Sequence, residues 1–271
     1  MKQAKILIAL PLIASAVLIS GCSDSTESAT SVNGESNNSG SLGDSTPTGK
    51  INQAGFYMLF DPAVPEAFDS TLSFQQQEVT VTVFAEDVND LTELNGQVVN
   101  FKTEWGGWLD ERDSCVLANG QCSVVWRTGS PATAPSDCRV AITTWADGEE
   151  SFFDANDNGL FDAGETLADM EEPFLDINGN GIFDVAAVTP ELIGELIDIK
   201  DFDGSSGNNY AHDAGDGKYT GSLCASGNAQ CSGRSTMIIH YRTNLLIQQP
   251  FTDTDDLDGD GNTTEEINIC G

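Results

Sequence analysis

Short runs of apolar residues separated by turn-forming residues follow one another along the chain from residue 51 onward. The clearest run, residues 78–84, reads EVTVTVF and alternates valine with threonine, as expected of a β-strand that buries one of its two faces. Comparable runs lie at residues 55–60, 97–103, 122–128, 139–145 and 236–242, the last continuing through Ile247. The pattern predicts an all-β chain, and short strands at this spacing favour a β-sandwich.

Residues 154–165 interrupt this pattern with the sequence DANDNGLFDAGE. Oxygen-bearing side chains occupy positions 1, 3, 5, 9 and 12 of a calcium loop, and a glycine occupies position 6, where the chain must turn sharply. Hard oxygen donors in this order favour Ca²⁺ over softer metals. We therefore predict a calcium site whose ligands are Asp154, Asn156, Asn158, the Leu160 carbonyl, Asp162 and Glu165. Because residues 139–145 before the loop are strand-like, a helix–loop–helix sensor is disfavoured.

A second copy of the loop, DINGNGIFDVAA, begins 22 residues later. Because Ala187 replaces the glutamate at position 12, it predicts either a weaker site or one that borrows a carboxylate such as Glu172. Its ligands are Asp176, Asn178, Asn180 and Asp184. Poorer copies at residues 198–204, 213–216 and 256–266 are either further sites or plain acidic loops. The 22-residue period favours small stacked units.

Negative charge dominates the composition, with 43 acidic against 11 basic residues and a formal net charge of −32. Nineteen of the acids lie between Asp147 and Asp216, where Lys200 is the one basic residue. Such a block repels itself unless counter-ions neutralise it, and bound Ca²⁺ would do so. The same charge excludes nucleic acid as a partner reached by electrostatic attraction.

The N-terminus has the pattern of a secretion signal. Lys2 and Lys5 precede an apolar stretch at residues 6–19, which is too short to span a bilayer comfortably. The sequence LISGC that ends it resembles the lipobox of bacterial lipoproteins. That resemblance implies acylation of Cys22 and, because Ser23 follows, an outer-membrane lipid anchor facing the periplasm or the cell surface. An ordinary secretory signal with an incidental cysteine is the alternative.

Six further cysteines remain, an even number that implies disulfides in an exported chain. Cys115 and Cys122 are seven residues apart, as are Cys224 and Cys231, and turn-like segments separate the members of each pair. We predict two hairpin-closing bonds, which leaves Cys138 to pair with Cys270. Metal binding by thiolates is disfavoured, because no CxxC pair occurs.

Two longer segments resemble a known family. VTVTVFAEDVNDLTELNGQVVNFKTEWG is similar to the first half of a bacterial Ig-like domain of the invasin/intimin type, and NGQCSVVWRTGSP with CRVAITTWADGEES to the second half. The resemblance implies an Ig-like sandwich over residues 51–150. Its cysteines do not follow the antibody arrangement, and the acidic block interrupts it before its final strand.

The resulting interpretation divides the chain into a series of segments. We expect the acidic insertion to place the calcium loops at one end of the sandwich. The segments are a signal peptide at 1–21, a flexible Ser/Gly/Asn tether at 22–50, the main sandwich at 51–150, the acidic calcium-loop insertion at 151–216, final strands at 217–250, and an acidic tail with a further candidate loop at 251–271. Residues 189–198 fit either a short helix or the strand arm of a third repeat.

The tryptophans and histidines are further candidates for binding chemistry. Trp105 and Trp108 are candidates for an exposed sugar-binding surface, whereas Trp126 and Trp145 fit sheet packing. His240 fits a sheet surface, and His212 is either a ligand beside Asp213 or an incidental loop residue. No GxSxG, HExxH or phosphate-cradling motif occurs.

Three functions compete on these grounds. The first is a non-enzymatic, lipid-anchored, calcium-stabilised Ig-like protein for adhesion or envelope assembly, with an unidentified protein or glycan as partner. The second is a carbohydrate-binding module or exported carbohydrate-active enzyme. The third is a structural component of a secretion or pilus apparatus.

Overall fold

The computed structural model describes residues 46–65, 76–88, 94–130, 133–184 and 214–247, the strands at 251–253 and 265–267, and the single residues Ile197 and His212. The helical residues that it describes belong to short 3-10 turns, among them Gln53–Gly55 and Leu109–Glu111. The described chain is therefore nearly all β, as predicted. Its strands are β1 (Ile51–Asn52), β2 (Phe56–Asp61), β3 (Glu78–Ala85), β4 (Val98–Thr103), β5 (Gly107–Trp108), β6 (Ser114–Val116), β7 (Gln121–Arg127), β8 (Arg139–Glu149), β9 (Ser151–Phe153), β10 (Thr166–Ala168), β11 (Met237–Leu246), β12 (Phe251–Asp253) and β13 (Glu265–Ile267).

The first sheet has the order β2-β3-β7-β5, with all its pairs antiparallel. Its central strand β3 is the alternating run, and the valines at 79, 81 and 83 are fully buried. On the opposite face, the Thr82 and Ser123 hydroxyls form a cross-strand hydrogen bond of 2.8 Å. The period of two therefore divides one apolar face from one polar face, as the sequence predicted.

The second sheet is built around β8, which is eleven residues long. β11 pairs with it along ten residues, and β4, which also pairs with β6, lies against its other edge. Gly148 pairs with both Met237 of β11 and Ile51 of β1, so the parallel strand β1 shares the edge that β4 occupies. A Cβ at Gly148 would lie 2.6 Å from the Ile51 carbonyl oxygen, so only glycine allows this approach.

The core lies between the two sheets. Val81 and Trp126 of the first sheet and Phe101, Ile142 and Ile239 of the second belong to one buried cluster. The Trp126 indole donates to the Trp105 carbonyl at 3.0 Å, so its polar N–H is satisfied inside the core. Two sheets that share one apolar interior form the predicted sandwich.

A further layer covers the outer face of the second sheet. Ala141 and Thr143 on this face of β8 are buried, because the segment at residues 174–177 lies across them. The Thr143 hydroxyl donates to the Phe174 carbonyl at 2.6 Å, and the Arg242 guanidinium of β11 lies 3.8 Å from the centre of the Phe174 ring. β8 is therefore buried on both faces.

Two of the predicted disulfides are confirmed, Cys115–Cys122 and Cys224–Cys231. The first does not close a hairpin within one sheet, because Cys115 lies in β6 of the second sheet and Cys122 in β7 of the first. It therefore ties the two layers together. Cys138 is also disulfide-bonded, and its predicted partner Cys270 lies outside the described residues.

The chain leaves the second sheet after Glu149 and returns to it at Met237. The return comes later than the predicted boundary at residue 216, since residues 217–236 form turns and isolated bridges beside β9 and β10. The signal segment with Cys22, the tether up to residue 45, the segment 189–198 apart from Ile197, and the candidate loops at 198–204 and 256–261 lie outside the described residues. No helix in the described part of the chain is long and apolar enough to cross a membrane.

The sandwich predicts that replacing valine by alanine destabilises the protein strongly at one position and hardly at all at another. Val81→Ala should lower the free energy of unfolding by about 2 kcal/mol, because it leaves a cavity in the core. Val116→Ala should change it by less than about 0.5 kcal/mol, because that side chain is 56% exposed. Denaturant unfolding measures both, and equal effects would contradict the assigned core.

Candidate metal centre

The predicted calcium loop at residues 154–165, here loop 1, is the connection of a β-hairpin. β9 ends at Phe153, β10 begins at Thr166, and these two residues pair across the antiparallel ladder. The strand-like flank before the loop is confirmed, and the residues after it also form a strand. Loop 1 is thus clamped at both ends by hydrogen-bonded backbone.

The turn of loop 1 is organised around Asp154. Its Oδ2 accepts a hydrogen bond of 2.6 Å from the Gly159 N–H, and its Oδ1 accepts from the Asn158 N–H at 3.2 Å. Gly159 has φ +73°, in the left-handed region that glycine adopts most easily. The buried carboxylate at position 1 therefore holds the sharp turn at position 6.

The side chains at positions 3, 5 and 9 converge inside the loop. The Asn156 and Asn158 side-chain amides donate to one oxygen of Asp162, Oδ2, at 2.9 and 2.7 Å. These two bonds hold the pKa of the Asp162 carboxyl below its usual range. Glu165 at position 12 accepts from the Ala155 and Asp162 N–H groups, each at 2.9 Å.

Loop 2, residues 176–184 as far as the structure describes it, repeats this arrangement. The Asn178 and Asn180 amides donate to Asp184 Oδ2 at 2.6 and 2.8 Å. The Gly181 N–H donates to Asp176 Oδ2 at 2.9 Å. The 22-residue repeat in sequence is therefore also a repeat of hydrogen bonds, and Ala187 lies outside the described residues.

The expectation that both loops lie at one end of the sandwich is wrong. Loop 1 follows the end of β8 that carries Gly148, whereas loop 2 lies against β11 near Asn244, which pairs with Ala141 towards the other end of β8. A Cβ at Gly179 would be 3.4 Å from the Asn244 amide nitrogen. The reason is that residues 174–177 carry the chain along the outer face of the sheet before loop 2 begins.

The donor set of loop 1 suits a hard cation. Carboxylates, amide oxygens and one backbone carbonyl are the ligands that Ca²⁺ takes in proteins. Among the described residues, no three His, Cys, Asp or Glu side chains are grouped so as to hold a metal. In loop 1 the Asn156 and Asn158 amides donate to Asp162, while their oxygens accept backbone bonds from Asn158 and Leu160. Binding would require both amides to turn their oxygens inward.

An aromatic residue at position 8 anchors each loop, a feature that the sequence interpretation missed. Phe161 of loop 1 is buried with Phe152 and Tyr219 in a small separate cluster. Phe183 of loop 2 stacks on His212, with ring centres 4.3 Å apart. The shared triplets LFD and IFD were the available signal.

Both histidines are largely buried in packed surroundings. The His212 ring packs between Phe183 and Phe174, and its Nε2 lies 3.0 Å from the Glu172 carbonyl. His240, which pairs with Trp145 of β8, is 7% exposed and is therefore buried rather than on a sheet surface. Burial holds the pKa of His240 well below its usual range.

The prediction that Trp105 and Trp108 form an exposed surface is wrong. Trp105 is 6% exposed, and its indole donates to the Ser130 carbonyl at 3.1 Å. Trp108 is half-buried and lies against Phe101, with ring centres 5.3 Å apart. Both rings pack against the core of the sandwich rather than forming an exposed pair, and core packing of Trp126 is confirmed.

Two adjacent glutamates, at the point where the chain leaves the sandwich, are almost completely buried. Glu149 accepts a hydrogen bond from the Thr48 hydroxyl, and Glu150 accepts bonds from the Met170 and Thr220 N–H groups at 2.9 and 2.7 Å. Glu150 also lines a small cavity with Asp169, Asp216 and Arg234. Burial, reinforced by the two aspartates, raises the pKa of Glu150 to about 8.

Comparison of the chain with protein-family models, characterised proteins and solved structures gave no match. A functional assignment therefore depends on the chain's own residues.

The buried glutamate predicts an unusual pH dependence. The folded protein should retain a proton on Glu150 between about pH 4.5 and 8 that the unfolded chain has released, so its stability should fall as pH rises through this window. The loss should be on the order of a few kcal/mol. Glu150→Gln should reduce this slope in urea unfolding with EDTA, whereas Glu78→Gln at a partly exposed ion pair should leave it unchanged. A slope unchanged by Glu150→Gln would contradict the assignment.

Proposed function

We propose that this chain is a non-enzymatic, calcium-stabilised, Ig-like protein, lipid-anchored through Cys22, that serves adhesion or envelope assembly outside the cytoplasm. The observation that carries the proposal is the repeated loop. Two segments 22 residues apart share their ligand spacing and the hydrogen bonds that form their turns. Repetition of both features supports a ligand common to the two loops.

Electrostatics supports Ca²⁺ as that ligand. Asp154, Asp162 and Glu165 bring three carboxylates into one twelve-residue loop, within a chain of net charge −32. A divalent cation coordinated there would offset the repulsion and replace the internal amide bonds with ion–oxygen contacts. Loops of extracellular modules bind calcium at roughly 10⁻⁴–10⁻³ M, so occupancy would accompany export.

A structural rather than catalytic role is supported by how the buried polar groups are used. Glu149 and Glu150 hold backbone N–H groups of residues 220 and 222. His212 packs between aromatic rings. These groups are engaged in joining segments that are distant in sequence, which is the work of a scaffold.

The base of the tether supports a fixed presentation of the sandwich. The Thr48 hydroxyl lies within hydrogen-bond distance of both Asp87 and Glu149, and the Gly49 N–H donates to Asp87 at 2.6 Å. Lys50 reaches the Ser222 hydroxyl at 2.6 Å. A tether that ends in such a clamp would hold the acidic segment in a constant orientation relative to the anchor.

Calcium binding is tested by a pair of charge-removing substitutions in loop 1. Glu165→Gln should weaken the tightest site at least about tenfold in calorimetry, because position 12 supplies the bidentate carboxylate. Asp157→Asn removes the same charge at position 4, which supplies no ligand, and should leave the affinity nearly unchanged. Equal effects would refute the ligand assignment, and no heat in the wild-type protein would refute calcium binding itself.

The partner and the anchor are tested together in membranes. Wild-type protein should fractionate with membranes and crosslink to a partner in millimolar Ca²⁺, with the crosslinks lost in EDTA because the loops would no longer be held. Cys22→Ser should move the chain to the soluble fraction. Crosslinks that persist in EDTA, or hydrolysis of a glycan by the purified protein, would count against the proposed function.

A further inference from the structure

A covalently closed segment lies directly against loop 1. The disulfide segment, residues 219–232, contains the Cys224–Cys231 bond. It is joined to loop 1 by an isolated β-bridge between Cys224 and Phe161. It is more than fifty residues away from loop 1 in sequence. Its contact with the loop is therefore a tertiary feature.

Backbone hydrogen bonds join the two segments on both sides of Phe161. The Phe161 N–H donates to the Leu223 carbonyl at 2.6 Å, and the Phe161 carbonyl accepts from the Ala225 N–H at 3.1 Å. Phe161 stands between positions 7 and 9, which supply two of the predicted ligands, Leu160 and Asp162. Fixing its backbone fixes the backbone of both neighbours.

Side chains of the disulfide segment add two further contacts. The Asn228 amide donates to the Phe161 carbonyl at 2.9 Å, and the Gln230 side-chain oxygen accepts from the Gly164 N–H at 3.0 Å. Gly164 precedes Glu165, the residue at position 12. The predicted ligands Leu160, Asp162 and Glu165 are thus each next in sequence to Phe161 or Gly164, whose backbones are hydrogen-bonded to the disulfide segment.

The disulfide segment is itself attached to rigid parts of the fold. The Tyr219 ring packs against Phe152 of β9 with centres 5.3 Å apart and against Phe161 at 5.1 Å. The Thr220 N–H donates to buried Glu150 at the end of β8. The segment therefore connects loop 1 to the sandwich and does not move freely with the loop.

We propose that the Cys224–Cys231 segment is the positioning element of loop 1, and that its closure by the disulfide pre-organises this loop for a divalent cation. The inference builds on the proposed calcium binding. A disulfide restricts the conformations open to the residues that it encloses. A loop already held in its binding geometry loses less freedom on binding, which strengthens affinity.

Loop 2 should not share this dependence. Its position-8 residue, Phe183, is held by ring packing on His212, and Arg242 pairs with Glu171 beside them. Neither described disulfide encloses these residues. The two loops therefore provide an internal comparison within one molecule.

Calcium titration with matched disulfide variants tests the proposal. In a background with loop 2 disabled by Asp176→Asn and Asp184→Asn, Cys224→Ser/Cys231→Ser should weaken calcium binding about tenfold, a fraction of what a short disulfide-closed loop contributes. The control Cys115→Ser/Cys122→Ser removes a bond of the same seven-residue separation between the two sheets. It should lower the melting temperature while leaving calcium affinity unchanged.

The outcomes distinguish the inference from the function beneath it. Absence of binding in the loop-2-disabled background would refute the calcium assignment of loop 1. Binding that is equal in that background and in the Cys224→Ser/Cys231→Ser variant, or equally weakened in both disulfide variants, would overturn the positioning role.

A second measurement needs no metal. In EDTA, hydrogen exchange at the Phe161 and Gly164 amides should speed up at least about tenfold when the disulfide segment is loosened, because both N–H groups donate to that segment. Asn228→Ala provides a milder change that retains the disulfide, and it decides the matter if the double cysteine variant does not fold. Unchanged exchange at both amides in Asn228→Ala would overturn the inference.

Discussion

The rest of the molecule depends on the burial of strand β8 on both of its faces. One face carries Val140 and Ile142 into the core between the sheets. The other carries Ala141 and Thr143 beneath residues 174–177 of the acidic segment. β8, the strand before the acidic segment, also pairs along ten residues with β11, the strand after it. A strand covered in this way cannot shift its register without exposing apolar surface on both sides.

That constraint explains how a chain of net charge −32 remains compact. The acids nearest to β8 do not face one another freely, since Glu149 and Glu150 accept hydrogen bonds from backbone N–H groups. Asp154 and Asp176 do the same inside their loops. Each such bond offsets the cost of removing a carboxyl group from water, and those of Glu149 and Glu150 also join segments distant in sequence. The proposed cations would compensate the negative charge of the loop carboxylates further.

Much of this architecture could be read from local patterns. Alternation in EVTVTVF gave β3 and its buried face, and glycine at position 6 marked the turns of both loops. Equal cysteine spacing identified two disulfides. The errors have a common origin, because Trp105, His240 and the placement of loop 2 were judged from their neighbours in sequence. Trp105 is decided by contact with Ser130, and the place of loop 2 by its approach to Asn244 of β11, each tens of residues away.

What the sequence by itself determined is therefore the set of strands, the ligand spacing of the loops and the pairing of Cys115 with Cys122 and of Cys224 with Cys231. These follow from the period of a strand, the geometry of a tight turn and the short reach of a disulfide, all of which act over a few residues. Only the tertiary structure decided that Cys115–Cys122 joins two sheets, that β8 is buried on both faces, and that the Cys224–Cys231 segment lies against Phe161. Those outcomes depend on which surfaces meet after folding, and the burial that selects them is shared among residues far apart in the chain.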